Sequence, residues 1–312
     1  MTKIDLITGF LGSGKTTFLK IYAQYLMRQG MTIGILENDY GAVNVDMMLL
    51  SELEGDNCEL EMVAGGCHED CHRRRFKTKL IALGMSGYDR VIVEPSGIFD
   101  IDEFYDVLNE EPLNRMYEIG NVIAIVDARL SDSMSCESDF YLASQIATAG
   151  TILLSRCQLT DIEHINSTQQ HLVHACELVH SGRVISDIIN TAHWNLLTDD
   201  DLASIANCGY YPSSYEKSIA GKASPYSSVY FLELPFTTKI IRLMSDNLLH
   251  NDIYGNVFRI KGFYRENDEW FEINATKNDF DLQKIKLGQE VIIVIGEDLN
   301  TSLIDEYVKS CI

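Results

Sequence analysis

Short apolar runs separated by amphipathic stretches set the rhythm of the first half of the chain. Lys3 to Thr8, Met31 to Leu36, Tyr88 to Val93, Asn121 to Val126 and Thr151 to Leu154 each read as a short, mostly apolar strand. Between the first two, Phe18, Leu19, Tyr22 and Leu26 recur at helical spacing over Thr17 to Gln29, and Gly30 ends the pattern. Helical patterns also separate the later strands. Continuous apolar strands alternating with helices predict an α/β fold, a mostly parallel, doubly wound sheet covered on both faces, with ligands at the carboxyl ends of its strands.

The pattern changes around Gly209 to Pro225, a stretch rich in Tyr, Ser, Pro and Gly that reads as a linker. Beyond it, Ser227 to Leu234, Asn256 to Tyr264, Glu269 to Ala275 and Glu290 to Ile295 read as strands, with helices at Thr237 to His250 and Thr301 to Ser310. This order predicts a smaller α+β domain of mainly antiparallel sheet. The expected organisation is a nucleotide-binding domain over 1–208, a linker over 209–225 and a C-terminal domain over 226–312. Neither internal repeats nor low-complexity tracts interrupt it.

Composition narrows the partners. With 46% hydrophobic residues in 312, the chain can bury a full core. Its 25 basic residues face 46 acidic ones, a net charge of −21, which argues against nucleic acid and anionic membrane surfaces as partners. Phosphate binding on such a chain has to rest on local donors, whereas cations are tolerated. The longest apolar runs, such as Val291 to Ile295, fall far short of a membrane span, and the stretch before Gly9 leaves no room for a leader, so a cytoplasmic location is expected. In a reducing compartment the eight cysteines are expected to serve metal binding, catalysis or burial rather than disulfides.

The chemistry is concentrated after strands. Residues 9 to 16, Gly-Phe-Leu-Gly-Ser-Gly-Lys-Thr, form a complete GxxxxGK[ST] phosphate loop between the first strand and the first helix. Gly9, Gly12 and Gly14 let the backbone wrap close to phosphate oxygens, Lys15 supplies a point charge and the Thr16 hydroxyl can ligate Mg²⁺. Ser13 and Thr17 complete the candidate nucleotide contacts of this loop. After the second strand comes Asn38-Asp39-Tyr40-Gly41, where Asp39 can reach an Mg²⁺ shell; an Asn-Asp turn is the plain alternative. After the third comes Glu94-Pro95-Ser96-Gly97, with Glu94 in the position of the Walker B acid and Gly97 able to offer a backbone N–H to a terminal phosphate.

Together these segments, with Gly65-Gly66-Cys67, the strand Arg259-Ile260-Lys261-Gly262-Phe263 and Ile293-Val294-Ile295-Gly296, resemble the CobW-type metal-delivery GTPases over essentially the whole chain. The resemblance implies a P-loop NTPase domain with a smaller C-terminal α+β domain. It also implies Mg²⁺-dependent hydrolysis of GTP to GDP, and a thiolate site for a transition metal such as Zn²⁺ or Co²⁺ that is delivered to a client metalloprotein. Lys15 and Glu94 are then the candidate catalytic residues, and Thr16, Asp39 and Glu94 the candidate Mg²⁺ residues.

Two segments depart from the family pattern. Where the family typically carries Cys-x-Cys-Cys, this chain has Cys67-His68-Glu69-Asp70-Cys71-His72, so only Cys67 falls on the pattern. If the segment is helical, Cys67 with Cys71 and His68 with His72 form two adjacent i, i+4 pairs suited to zinc or cobalt. A cysteine pair beside two surface histidines is the alternative. Arg73-Arg74-Arg75, which follows, reads most simply as a solvated helix face.

The base-reading segment also differs. Asn-Lys-x-Asp is replaced by Ser155-Arg156-Cys157-Gln158, in which Arg156 can lie over a purine and Gln158 is a neutral amide that reads guanine less strongly and can accommodate adenine. His164, His171, His174, Cys176 and His180 do not converge as a ligand set and read as a polar helix face. The expected function is a Mg²⁺-dependent GTP hydrolase that couples turnover to transition-metal binding and delivery. A nucleotide-gated scaffold with a degenerate metal site, and a P-loop kinase or ligase using ATP on a small metabolite, stay open as alternatives, as does a homodimer.

Overall fold

The computed structural model describes residues 1–39, 45–64, 69–130, 134–212, 226–286 and 288–312, with the backbone alone described at 39, 45, 46, 48, 64, 69 and 70. The chain separates into two compact units, Met1–Ala220 and Gly221–Ile312. Of the expected linker, residues 213–225 lie outside the described set.

In the first unit the order is β1 (Thr2–Thr8), α1 (Lys15–Arg28), β2 (Ile33–Asp39), α2 (Val45–Leu50), β3 (Cys58–Ala64), α3 (Glu69–Ser86), β4 (Arg90–Pro95), α4 (Ile101–Asn109) and α5 (Leu113–Met116). It continues with β5 (Tyr117–Asp127), α6 (Cys136–Ala147), β6 (Thr151–Ser155), α7 (Ile162–Leu178), β7 (Ile189–Asn190) and α8 (Asp199–Ile205). The strands form a seven-stranded sheet in the order β3-β2-β4-β1-β5-β6-β7, and every pairing is parallel.

The continuous apolar strands are explained by burial on both faces. Ile4, Leu6, Val91, Val93, Val122, Ala124 and Val126 enter the core beneath α3 to α7, while their neighbours Ile7, Ile92, Ile123 and Ile125 enter the core beneath α1, α2 and α8. Two strands escaped the sequence reading. β3 occupies an edge and alternates Glu59 and Glu61 with Cys58 and Leu60, and β7 is only two residues long.

One polar group interrupts the apolar pattern of β1. The β1–β5 register shifts between Ile4 and Leu6, and Asp5, wholly buried, fills the irregularity. Its Oδ1 accepts the Asn121 amide N–H at 2.8 Å, and its Oδ2 accepts from Arg90 at 2.6 Å and from the Tyr22 hydroxyl at 2.7 Å. A Cβ at Gly120 would lie 2.3 Å from Asp5 Oδ1, so only glycine fits there. Asn121 also donates to the Ala206 carbonyl at 2.9 Å and accepts from the Gly209 amide at 2.8 Å, which ties the end of α8 to the sheet. Burial, with Asp5 adding to it, holds the Tyr22 hydroxyl well above its ordinary pKa. Burial opposes the charge on Arg90, but Asp5 and Tyr22 more than offset it and raise the guanidinium pKa.

The second unit contains β8 (Tyr226–Leu232), α9 (Thr238–His250), β9 (Asn256–Glu266), β10 (Glu269–Thr276), β11 (Phe280–Ile285), β12 (Val291–Glu297) and α10 (Thr301–Ser310). Its strands pair antiparallel in the order β11-β10-β9-β12-β8. The strand carrying Arg259 to Phe263 is β9, between β10 and β12. β11 was not anticipated, because an edge strand with exposed Asp281, Gln283 and Lys284 offers no continuous apolar run. No helix among the described residues is long and apolar enough to cross a membrane.

Candidate functional site

The phosphate loop leaves β1 and enters α1 without any side-chain cap. Gly14 takes the N-cap position in a left-handed conformation, φ 99°, and the first turn of α1 carries no acidic residue. The helix terminus therefore keeps its partial positive charge and its N–H groups for an incoming anion. Lys15 is buried and donates to the Gly9 carbonyl at 3.0 Å, which holds the ammonium across the mouth of the loop.

Parallel pairing of β1 with β4 delivers the second component. The Thr16 hydroxyl donates to Glu94 Oε1 at 2.7 Å, joining the start of α1 to the end of β4. Gly97 follows on the same segment. A Cβ there would lie 2.5 Å from the Leu11 backbone nitrogen, so its backbone packs directly on the loop, and Gln145 of α6 donates to its carbonyl at 2.8 Å. Ser96 is fixed by a hydrogen bond from its amide to the Asn38 carbonyl at 2.8 Å.

Polar groups left over point to a ligand. The Ser13 hydroxyl and both amide atoms of Asn38 are buried and have no hydrogen-bond partner among the described residues. Such groups are each worth roughly 1–3 kcal/mol to satisfy. Oxygen donors at Thr16 and Glu94 are the hard ligands that suit Mg²⁺, so the residues present fit that ion. Asp39 is the last residue of β2, but its side chain lies outside the described set, as do Tyr40 and Gly41.

The base-reading segment is arranged differently from its sequence expectation. Arg156, at φ 59°, donates to the Gly12 carbonyl at 2.8 Å and to Asp127 Oδ2 at 2.7 Å, so the guanidinium braces the phosphate loop. Asp127, at the end of β5, also accepts from Arg129 at 3.1 Å. Gln158 is exposed and its amide makes no hydrogen bond among the described residues. With Ser155, Thr17 and Gly14 it lines a cavity of about 160 Å³.

The opposite wall of that cavity comes from His193, Trp194 and Asn195, which the sequence reading did not select. Trp194 packs edge-on against Phe18, with centroids 5.5 Å apart, and its ring lies 3.4 Å from where a Gly14 Cβ would be. No motif marks these residues, and only the turn between β7 and α8 brings them back to the loop. Asp127 carried a signal that could have found it, an acid ending an apolar strand.

The thiolate segment is described in part. Gly65, Gly66, Cys67 and His68 lie outside the described residues, and α3 begins at Glu69. Cys71 is half-buried and His72 is buried, so His72 does not sit on a solvated face as the surface-histidine alternative requires. Among the described residues no group of three or more His, Cys, Asp or Glu side chains gathers as a metal site. Arg73 finds an acid partner, since Lys77 and Arg73 clamp Glu110 at 2.5 and 2.6 Å and hold its carboxyl below the usual range. On α7, His171 bonds Asp139 at 2.7 Å and Cys176 is buried in the core.

A model of the nucleotide-binding domain of CobW, HypB and UreG matches residues 3–180, from β1 through α7. The chain belongs to the CobW/HypB/UreG family. Among its relatives, the zinc chaperone YjiA of Escherichia coli is 32% identical over 165 residues, 49% of this chain and 48% of that protein. The zinc chaperone YeiR of the same organism is 28% identical over 203 residues, 63% of this chain and 60% of that protein. The zinc-regulated GTPase metalloprotein activator 1 of Dictyostelium discoideum is 24% identical over 309 residues, 83% of this chain and 62% of that protein. The matched stretches thus span about half to three-fifths of these relatives.

Proposed function

We propose that this CobW/HypB/UreG family chain is a Mg²⁺-dependent GTP hydrolase that couples turnover to binding a transition metal, zinc foremost, and passing it to a client metalloprotein. The observation that carries the hydrolase reading is the 2.7 Å bond between Thr16 and Glu94, which joins the phosphate loop to the acid of β4 around one point. The names of the relatives, two zinc chaperones and a zinc-regulated GTPase, support the choice of cargo. In this reading the first unit is the GTPase domain and the second a CobW-like C-terminal domain, with a soluble, cytoplasmic setting and a homodimer left to experiment.

Lys15 and the N-terminus of α1 stabilise negative charge on the transferred phosphoryl group. Thr16, Glu94 and Asp39 would hold or surround Mg²⁺, which would supply positive charge to offset that of the outer phosphates. The backbone of Gly97 reports the terminal phosphate and passes it through Gln145 to α6. Cys67 and Cys71, with His68 or His72, hold the cargo metal, and in sequence this segment lies between the Asn38 to Asp46 segment and Glu94. Nucleotide state is thereby felt at the metal.

Ser155, Gln158 and Trp194 form the base pocket, with Trp194 supplying the apolar wall. Trp194→Ala is expected to weaken GTP binding by about tenfold or more, in line with roughly 1–3 kcal/mol for a base–aromatic contact. Because the chain has only two tryptophans, quenching of intrinsic fluorescence on titration with GTP should also disappear in Trp194→Phe. An unchanged titration in both variants would remove Trp194 from the pocket.

Gln158 sets the purine preference. Mg²⁺-GTP should raise the melting temperature more than Mg²⁺-ATP, and Gln158→Asp should widen that gap, because a carboxylate accepts both guanine N1 and N2 protons through charge-assisted bonds. Hydrolysis followed by phosphate release under single-turnover conditions tests the same preference directly. Equal shifts with both nucleotides, unaffected by Gln158→Asp, would refute guanine selection.

A further inference from the structure

A second cavity lies within the C-terminal unit, lined only by residues of that unit. It is a groove of about 510 Å³ between α9 and the β10–β11 turn, a volume in the range of small-molecule sites. The stripe 239, 242, 246 and 249 of α9 forms one wall, and the turn 276–280 the other. Its lining is chiefly apolar, supplied by Leu249, Phe280 and the aliphatic stems of the long side chains.

Three features set it apart from an ordinary surface groove. The Arg242 guanidinium is stationed over the Phe280 ring, 4.3 Å from its centroid, yet makes no ion pair or hydrogen bond among the described residues. Lys239, one turn before it on α9, has no acid partner among them either. On a chain with 46 acidic residues, two adjacent cations left without a carboxylate are held apart from the available counter-charges. The third feature is Ser245, wholly buried on the wall of the groove, whose hydroxyl lacks any partner among the described residues.

Neither Asp246 nor Asp279, the carboxylates on the lining, pairs with Arg242 or Lys239 among the described residues. The Asp246 side chain is 83% exposed and faces His250 at 3.5 Å. Asp279 closes the β10–β11 turn through its backbone, with its amide donating to the Thr276 hydroxyl at 3.2 Å and its carbonyl accepting from the Thr276 amide at 2.8 Å. Lys277 is engaged with Asn256 at 2.8 Å.

We propose that this groove binds a small amphipathic carboxylate, its apolar body lying on Leu249 and Phe280 and its carboxylate taken by Arg242 and Lys239, with the Ser245 hydroxyl donating from the wall. A planar guanidinium with all its donors available suits a carboxylate in particular, since it can bind both oxygens at once. Stacking on Phe280 holds that fork in place before the ligand arrives, which lowers the ordering lost on binding.

The test is isothermal titration of the full chain with sodium octanoate and, separately, with 1-octanol. Octanoate should bind saturably at one site and about tenfold or more tighter than octanol, the margin of a charge-assisted contact. Arg242→Gln with Lys239→Gln should erase that margin while leaving octanol binding, the melting temperature and GTP binding unchanged. Octanol binding as tightly as octanoate, an octanoate isotherm that does not saturate, or an octanoate affinity unaltered in the double variant would each overturn the proposal. The octanol comparison needs no substitution, so the result does not depend on how the variant folds.

Discussion

Replacing Asp5 with Ala is expected to destabilise the first unit by about 3–5 kcal/mol, the range for breaking a buried ion pair from one side. For a unit of this size that corresponds to a fall in melting temperature of roughly 6–20 °C. The large effect follows from what the carboxylate replaces. Asp5 stands in for backbone at the β1–β5 irregularity, accepting the Asn121 amide, and it is also the counter-charge of Arg90, which is 6% exposed. Its loss leaves a buried guanidinium, the Tyr22 hydroxyl and an amide N–H to find new partners in a dry site. Adding Arg90→Met to Asp5→Ala should recover part of the loss, because the stranded charge is then gone. Chemical denaturation followed by far-ultraviolet circular dichroism measures both. A loss below about 1 kcal/mol for Asp5→Ala would mean that the network does not hold the sheet to α8.

Lys15→Ala should abolish stabilisation by nucleotide. With Mg²⁺-GTP present at a hundredfold its dissociation constant, binding adds about 2.7 kcal/mol to the intact protein, or roughly 5–10 °C in melting temperature for a unit of this size. Lys15 is buried and lies across the loop at 3.0 Å from the Gly9 carbonyl, while the neighbouring Arg156 is committed to Gly12 and Asp127. On a chain of net charge −21, with Glu94 beside the loop, no other cation among the described residues is positioned to replace it there. The melting curve of the unliganded variant, recorded alongside, separates loss of nucleotide binding from loss of fold. A thermal-shift titration that retains the full GTP response in Lys15→Ala would contradict the phosphate-loop role.

How much of this was legible in the sequence depended on whether the signal was local. The phosphate loop, the strands that feed it and the acid ending β4 were readable, because apolar runs buried on both faces and glycine-rich turns carry their meaning within a few residues. The edge strands β3 and β11 were not, since their polar alternation resembles exposed helix or loop when the partner strand is unknown. Trp194 and its neighbours carried no motif at all; about forty residues of chain separate them from Gln158, and folding alone brings the two walls together. Arg156 shows a different limit. Its residue type fits stacking over a purine, but the left-handed backbone and the proximity of Asp127 turn it toward the loop. Asp5 was visible as a charge inside an apolar strand, and its meaning required Gly120, Asn121 and Arg90 from two other strands.

The central claim is that nucleotide state and metal occupancy are coupled in one chain. It is tested most directly by titrating the intact protein with Zn²⁺ against a competing fluorescent chelator, once with Mg²⁺ and a non-hydrolysable GTP analogue and once with Mg²⁺-GDP. The account predicts one tight site whose affinity differs between the two nucleotides by about five- to a hundredfold, the range of ordinary allosteric coupling. It also predicts that the site is lost when Cys67 and Cys71 are both changed to Ser. The same zinc affinity with either nucleotide, or an unchanged titration in the double variant, would contradict it.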